Sequence, residues 1–136
     1  MGNRACIIHE NAELGIYLHW NGGPESVYPM LEYARAHARL GESDYAMSRL
    51  VQVIANFLGG NLDIGLFRHK DYDRPDPGNH GLYYIDSQLR VVRRVRRGNP
   101  LDVEEEERRA WKHAYNTESP TMLERLAEKN DAHFVS

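Results

Sequence analysis

A chain of 136 residues with 41% hydrophobic and 27% charged residues has the size and composition of one globular domain, which excludes a disordered polyampholyte. The net charge of −3 conceals strong local structure, since five arginines lie between Arg90 and Arg97 and are followed by Asp102 and Glu104 to Glu107. A single cysteine, Cys6, excludes an internal disulfide, and with neither a leader-like start nor an apolar run long enough to span a bilayer, the expected location is the cytoplasm with no membrane partner.

Ala5 to His9 and Gly15 to Trp20 read as two strands joined by the polar turn from Glu10 to Leu14. In the second, Ile16, Leu18 and Trp20 share one face of a period-two pattern and Tyr17 and His19 the other. Gly22 and Gly23 then free the backbone, and Pro24 suits a first helical position because its φ is already set and it has no amide hydrogen to satisfy. Unpaired N–H groups at such a helix start can receive an anion. On spacing alone an ordinary strand-to-helix turn explains the segment better, because W-N-G-G matches no Walker or dinucleotide fingerprint.

Val27, Met30, Leu31, Ala34 and Ala38 recur at helical spacing, and the stripe ends before Gly41. Ser43 is placed to cap a second helix through Met47, Leu50, Val51, Ile54, Phe57 and Leu58, which Gly59 and Gly60 stop. Leu62, Ile64 and Leu66 alternate as a strand, and the polar loop 69–81, rich in proline and glycine, has a length commonly tied to function. Residues 82–86 and 89–95 read as two strands around a Ser87-Gln88 turn. Residues 102–115 and 120–129 read as helices, with Ser119 and Pro120 as cap and first residue. Helices grouped between runs of strands predict an α+β fold, an antiparallel sheet with two long helices on one face plus C-terminal helices.

The arginine strand is the most suggestive cluster, since planar guanidinium forks suit phosphate oxygens. Alternation sends Arg90, Arg94 and Arg96 to one face and Arg93 and Arg97 to the other, so no single ligand meets all five; an edge strand protected by charge and paired with the acidic run explains it equally well. The adjacent glutamates argue against duplex nucleic acid as a partner. Seven histidines show no ligand-like pair, and Asp71, Asp73 and Asp76 lack calcium-loop spacing, so neither a metal nor another cofactor is expected. No nucleophile elbow, phosphate-loop lysine or carboxylate pair is present, so no catalytic residue is assigned. Arg, Asn, Trp and Tyr together suit holding a nucleotide rather than altering it.

The segments M-G-N-R-A, Y-L-H-W-N-G-G, A-N-F-L-G-G and D-P-G-N-H-G-L-Y-Y, spread over about two thirds of the chain, resemble the Thoeris anti-defence 1 family of phage proteins, which sequester cyclic ADP-ribose signals made by bacterial immune enzymes. The resemblance implies a homo-oligomer that binds its nucleotide without hydrolysing it, some members also taking cyclic oligonucleotides. The matching positions are Asn3, Arg4, Trp20, Asn21, Gly22, Gly23 and Asn79; relatives often carry a basic residue where this chain has Pro24, and the segment after Pro100 goes beyond the resemblance.

The expected ligand-binding set adds Arg68 and Arg93 to those positions. Trp20 stacks the base, Asn21 and Asn79 hydrogen-bond polar edges, Gly22 and Gly23 admit phosphate, and Arg4, Arg68 and Arg93 neutralise it. Residues 1–100 form the α+β nucleotide-binding domain and 101–136 a helical extension of the same domain. Two alternatives stand beside this. One is a nucleotide-processing enzyme using His19, His69 or His80; the other is an inhibitor that docks on a restriction or CRISPR complex through its charged strand and acidic helix.

Overall fold

The strand pattern folds into one six-stranded sheet in the order β3-β2-β1-β4-β5-β6, built from β1 (Ala5–His9), β2 (Leu14–Leu18), β3 (Ile64–Arg68), β4 (Leu82–Ile85), β5 (Val91–Arg96) and β6 (Asn99–Leu101). Four helices join it: α1 (Pro24–Arg35), α2 (Ser43–Leu58), α3 (Val103–Asn116) and α4 (Met122–Asn130). This computed structural model describes residues 3–60, 63–68, 78–116 and 121–134.

The fold is α+β with C-terminal helices, as expected, but the sheet is mixed. β1 lies at its centre, antiparallel to β2 and parallel to β4, with Ile7 opposite both Ile16 and Tyr83. Periodicity cannot reveal that pairing, because the parallel partner lies far along the chain. β6 is also unanticipated: Pro100 hides it, since a proline is tolerated only where its missing N–H does not interrupt a ladder. Arg97 and Gly98, both with positive φ (54° and 80°), make the two-residue turn that returns β5 into β6.

The helices cover the face that carries Ala5, Ile7, Ile16, Leu18, Tyr83 and Ile85. α1 starts at Pro24 as its fixed φ dictates, and buries Val27, Met30, Leu31 and Ala34. α2 buries Ala46, Met47, Leu50, Val53 and Ile54 and stops at Gly59, whose φ of 75° a residue with a Cβ adopts only with strain. Burying a Leu50 or Ile54 side chain contributes about 1.5–3 kcal/mol, so this stripe is a main anchor of the helix. The cap position of α2 is Glu42 rather than Ser43, whose hydroxyl instead donates to the Asn11 carbonyl at 3.3 Å.

β2 ends at Leu18, so Trp20 lies past the strand and outside its alternation. β5 has neighbours on both sides and is not an edge strand. Residues 69–77 of the long loop, with His69, Asp71, Asp73 and Asp76, lie outside the described residues, as do Leu62, Ser119 and Pro120; α4 is capped by Thr121, which forms a capping box with Glu124. The C-terminal helices belong to the same core, to which they add Ala110, Met122 and Leu126. No helix among the described residues is long and apolar enough to cross a membrane.

Candidate functional site

At one end of the sheet, where β1 and β4 begin and β2 ends, backbone and side chains from four separate segments interlock. The Gly22 amide donates to the Asn3 carbonyl at 2.7 Å, and the Tyr83 hydroxyl donates to the Gly22 carbonyl at 2.7 Å. The Arg4 amide donates to Asn79 Oδ1 at 2.9 Å, while the His80 amide donates to the Arg4 carbonyl at 2.9 Å. Arg96 Nε reaches the Asn79 carbonyl at 3.0 Å, and His80 Nε2 lies 3.2 Å from Asn3 Oδ1. Asn3, Arg4, Gly22 and Asn79 are thus assembled in one place.

The same contacts explain the glycines structurally. A Cβ on Gly22 would collide with the Asn3 carbonyl and stand 2.8 Å from Ala5 Cβ; one on Gly23 would stand 2.6 Å from a carboxylate oxygen of Glu25. The start of α1 therefore has a carboxylate of its own chain beside it, where a helix dipole favours negative charge. His80 sits in this cluster with Nδ1 buried and without a hydrogen-bond partner. Burial is the main cause that lowers its pKa from the ordinary imidazole value; Arg96 and Arg94 lower it too, and Glu25 and Glu106 oppose them.

Trp20 and Asn21, without Gly22 and Gly23, line a cleft of about 440 Å³ together with Phe57, Leu58, Asp63, Arg125, Glu128 and Lys129. Trp20 is 40% exposed, with the His19 ring against it edge-on at 5.0 Å. Asn21 holds a φ of 60°, a left-handed conformation that asparagine tolerates, and its side-chain amide donates to Ser26 Oγ at 3.2 Å. The last turn of α2 supplies Phe57 and Leu58, and α4 supplies Arg125, Glu128 and Lys129, which helical spacing sets on one side. Arg125 also lies over the Phe57 ring, 5.1 Å from its centroid. Buried Asn130 pins α4 to α2: its amide nitrogen donates to the Val53 and Leu126 carbonyls and its oxygen accepts from Asn56 at 3.0 Å.

The remaining expected residues lie elsewhere. Arg68 stands opposite Leu14 at the far end of β3, away from Trp20. Arg93 projects from the face opposite the helices and stacks on Tyr84, 4.1 Å from the ring centroid. Arg94 is the buried one of the cluster, 1% exposed. Its Nε and Nη2 donate to Glu106 at 2.6 and 3.1 Å, its Nη1 to the Leu82 carbonyl at 2.8 Å, and the guanidinium lies 3.7 Å from the Tyr83 ring centroid. Tyr28 adds a hydroxyl to the same Glu106 at 2.9 Å. Burial pushes the Tyr28 and Tyr83 hydroxyls well above the ordinary phenol range, and the Glu106 carboxylate adds to it. The arginine strand does pair with the acidic run, but through one buried guanidinium rather than along an exposed edge.

Sequence reasoning placed Phe57 and Leu58 only in a helix's apolar stripe and assigned none of Phe57, Leu58, Asp63, Arg125, Glu128 and Lys129 to a binding site. The spacing of Arg125 and Lys129 on a helix was the available signal, and only the fold sets that helix against Trp20. Among the described residues no three of His, Cys, Asp and Glu group as metal ligands. Comparisons with protein-family models, with curated proteins and with solved structures give no match to this chain.

Proposed function

We propose that the chain binds and sequesters a phosphorylated ribonucleotide messenger of the cyclic ADP-ribose type, with cyclic oligonucleotides as further ligands, and as a phage or mobile-element protein thereby withholds the signal from an immune effector. The observation that carries this reading is the composition of the Trp20 cleft. An exposed indole, the Asn21 amide, two cations and two carboxylates surround a volume of about 440 Å³, within the size range of small-ligand pockets. Each part has a matching group on a nucleotide. The indole suits a base, Arg125 and Lys129 suit phosphate, and Asp63 and Glu128 suit ribose hydroxyls. Two carboxylates offset two cations there, which favours a compact ligand with both sugar and phosphate over a long polyanion.

In this reading Trp20 and Asn21 form the shared wall between the cleft and the cluster of Asn3, Arg4 and Asn79, and the working form is a homo-oligomer. Arg68 and Arg93 contribute from surfaces away from this cleft.

Titration calorimetry with cyclic ADP-ribose and its linkage isomers tests the proposal. Loss of a stacking indole costs about 1–3 kcal/mol, so Trp20→Ala is expected to weaken binding about 5- to 150-fold, with Arg125→Ala weakening it as well. Ligand recovered unchanged after heat denaturation identifies a sponge. Conversion to a product identifies the enzyme alternative, for which half-buried His80, whose Nδ1 has no hydrogen-bond partner, is the first residue to replace, and an absence of heat with every nucleotide offered overturns the proposal.

A further inference from the structure

We propose that Glu128 is a specificity-determining residue of the Trp20 cleft: its carboxylate accepts a ribose that keeps both hydroxyls free and refuses one that carries a phosphate there. The inference rests on the nucleotide reading above and adds to it the class of ligand that the cleft excludes. α4 is fixed at its start by the capping box of Thr121 and Glu124 and at its end by Asn130, whose side chain bonds Asn56 and the Val53 carbonyl. Arg125 marks the side of the helix that meets α2, since its guanidinium lies over the Phe57 ring. Glu128 follows Arg125 by three residues and Lys129 by four, about one turn farther along, and all three line the cleft.

The charges there do not neutralise one another. Elsewhere in the chain, helical neighbours of opposite sign do pair: Glu32 with Arg35 at 2.9 Å, and Glu105 with Arg108 at 2.6 Å and with Arg109 at 2.9 Å. Arg125 and Glu128 have the same three-residue separation, yet among the described residues neither makes an ion pair, and nor do Lys129 and Asp63. Their order gives a reason. A cation N-terminal to its carboxylate is the weaker arrangement on a helix, and Arg125 lies against Phe57 instead. Glu128 therefore presents an exposed, unpaired carboxylate beside two cations that have no carboxylate of their own.

An ionised carboxylate only accepts hydrogen bonds, so it matches a vicinal diol, which donates two. A phosphate in place of one hydroxyl offers no donor and sets a second negative group against Glu128, the kind of juxtaposition by which binding sites reject wrong partners. The phosphates that join the two halves of the ligand remain with Arg125 and Lys129. Dinucleotide-binding folds divide the work in the same way, an acidic side chain for a free ribose hydroxyl and an arginine for a phosphorylated one.

Titration calorimetry with cyclic ADP-ribose and with its 2′-phosphate tests this. The wild-type chain is expected to bind the phosphorylated ligand at least about 10-fold more weakly, a gap that added salt narrows. Glu128→Gln should close most of the gap by strengthening the phosphorylated ligand, and Glu128→Arg should invert the preference. Because Glu128 is exposed and unpaired, both variants should melt like wild type. Equal binding of the two ligands by the wild-type chain overturns the inference and leaves the nucleotide reading standing. A ratio that both Glu128 variants leave unchanged does the same, as does a gap that Asp63→Asn closes and Glu128→Gln does not. No heat with either ligand overturns the inference and the reading together.

Discussion

Replacing Glu106 by Gln keeps the shape of the side chain and removes its charge, which leaves the Arg94 guanidinium buried in the sheet without a counterion. Glu106 accepts two hydrogen bonds from Arg94 and one from Tyr28, and the arginine side chain is fully buried while that of Glu106 is 15% exposed. Removing one partner of a buried ion pair costs about 3–5 kcal/mol, and the solvent reaching Glu106 places this case at the lower end, about 3 kcal/mol. For a domain of this size that corresponds to a fall in Tm of roughly 10 °C. Urea denaturation monitored by tryptophan fluorescence measures it. The double variant Arg94→Met with Glu106→Leu should recover most of the loss, because a buried pair costs nearly as much desolvation as it returns in attraction. A loss under about 1 kcal/mol for Glu106→Gln, or a double variant less stable than the single one, would refute the claim that this pair fastens α3 to the sheet.

Gly22→Ala should destabilise by about 1–3 kcal/mol, since its Cβ has no room beside Asn3 and Ala5, whereas Gly60→Ala, with nothing within 4 Å, serves as a near-neutral control in the same melts. For His80 the folded-state pKa is depressed, so the unfolded chain takes up the proton first and stability falls as pH drops below about 6.5 toward the folded value. His80→Gln should flatten that decline in a pH series of denaturation midpoints, and an unchanged slope would show that His80 is protonated equally in both states.

The elements that periodicity controls were legible in the chain: α1 from Pro24, α2 up to Gly59, and the strands around Ile7, Ile16 and Tyr83 all follow from apolar spacing and glycine or proline punctuation. What the sequence hid was long-range. The side of β5 on which Arg94 lies follows from alternation, but its burial requires a carboxylate delivered by α3, which no local pattern reports. Trp20 was found for its aromatic ring beside an amide and two glycines. Its neighbours Arg125 and Lys129 come from a helix whose sequence reads as a solvated face, and only the buried Asn130 that locks α4 onto α2 sets them across the cleft. The paired glycines illustrate the reverse: a motif that suggests phosphate is equally demanded by the close approach of two backbone segments.

The parallel seam between β1 and β4 imposes an order on biosynthesis. The contact of Arg4 with Asn79, beside the ladder that joins the two strands, bridges 75 residues of chain. On a ribosome the first hairpin emerges with one flank of its innermost strand bare, and at usual translation speeds its permanent neighbour follows on the order of ten seconds later. Throughout that interval Cys6, Ile7 and Ile8 offer a sticky apolar ribbon to any other nascent strand. Yield of native protein should therefore depend on translation speed and chaperone supply more steeply than its equilibrium stability alone would suggest.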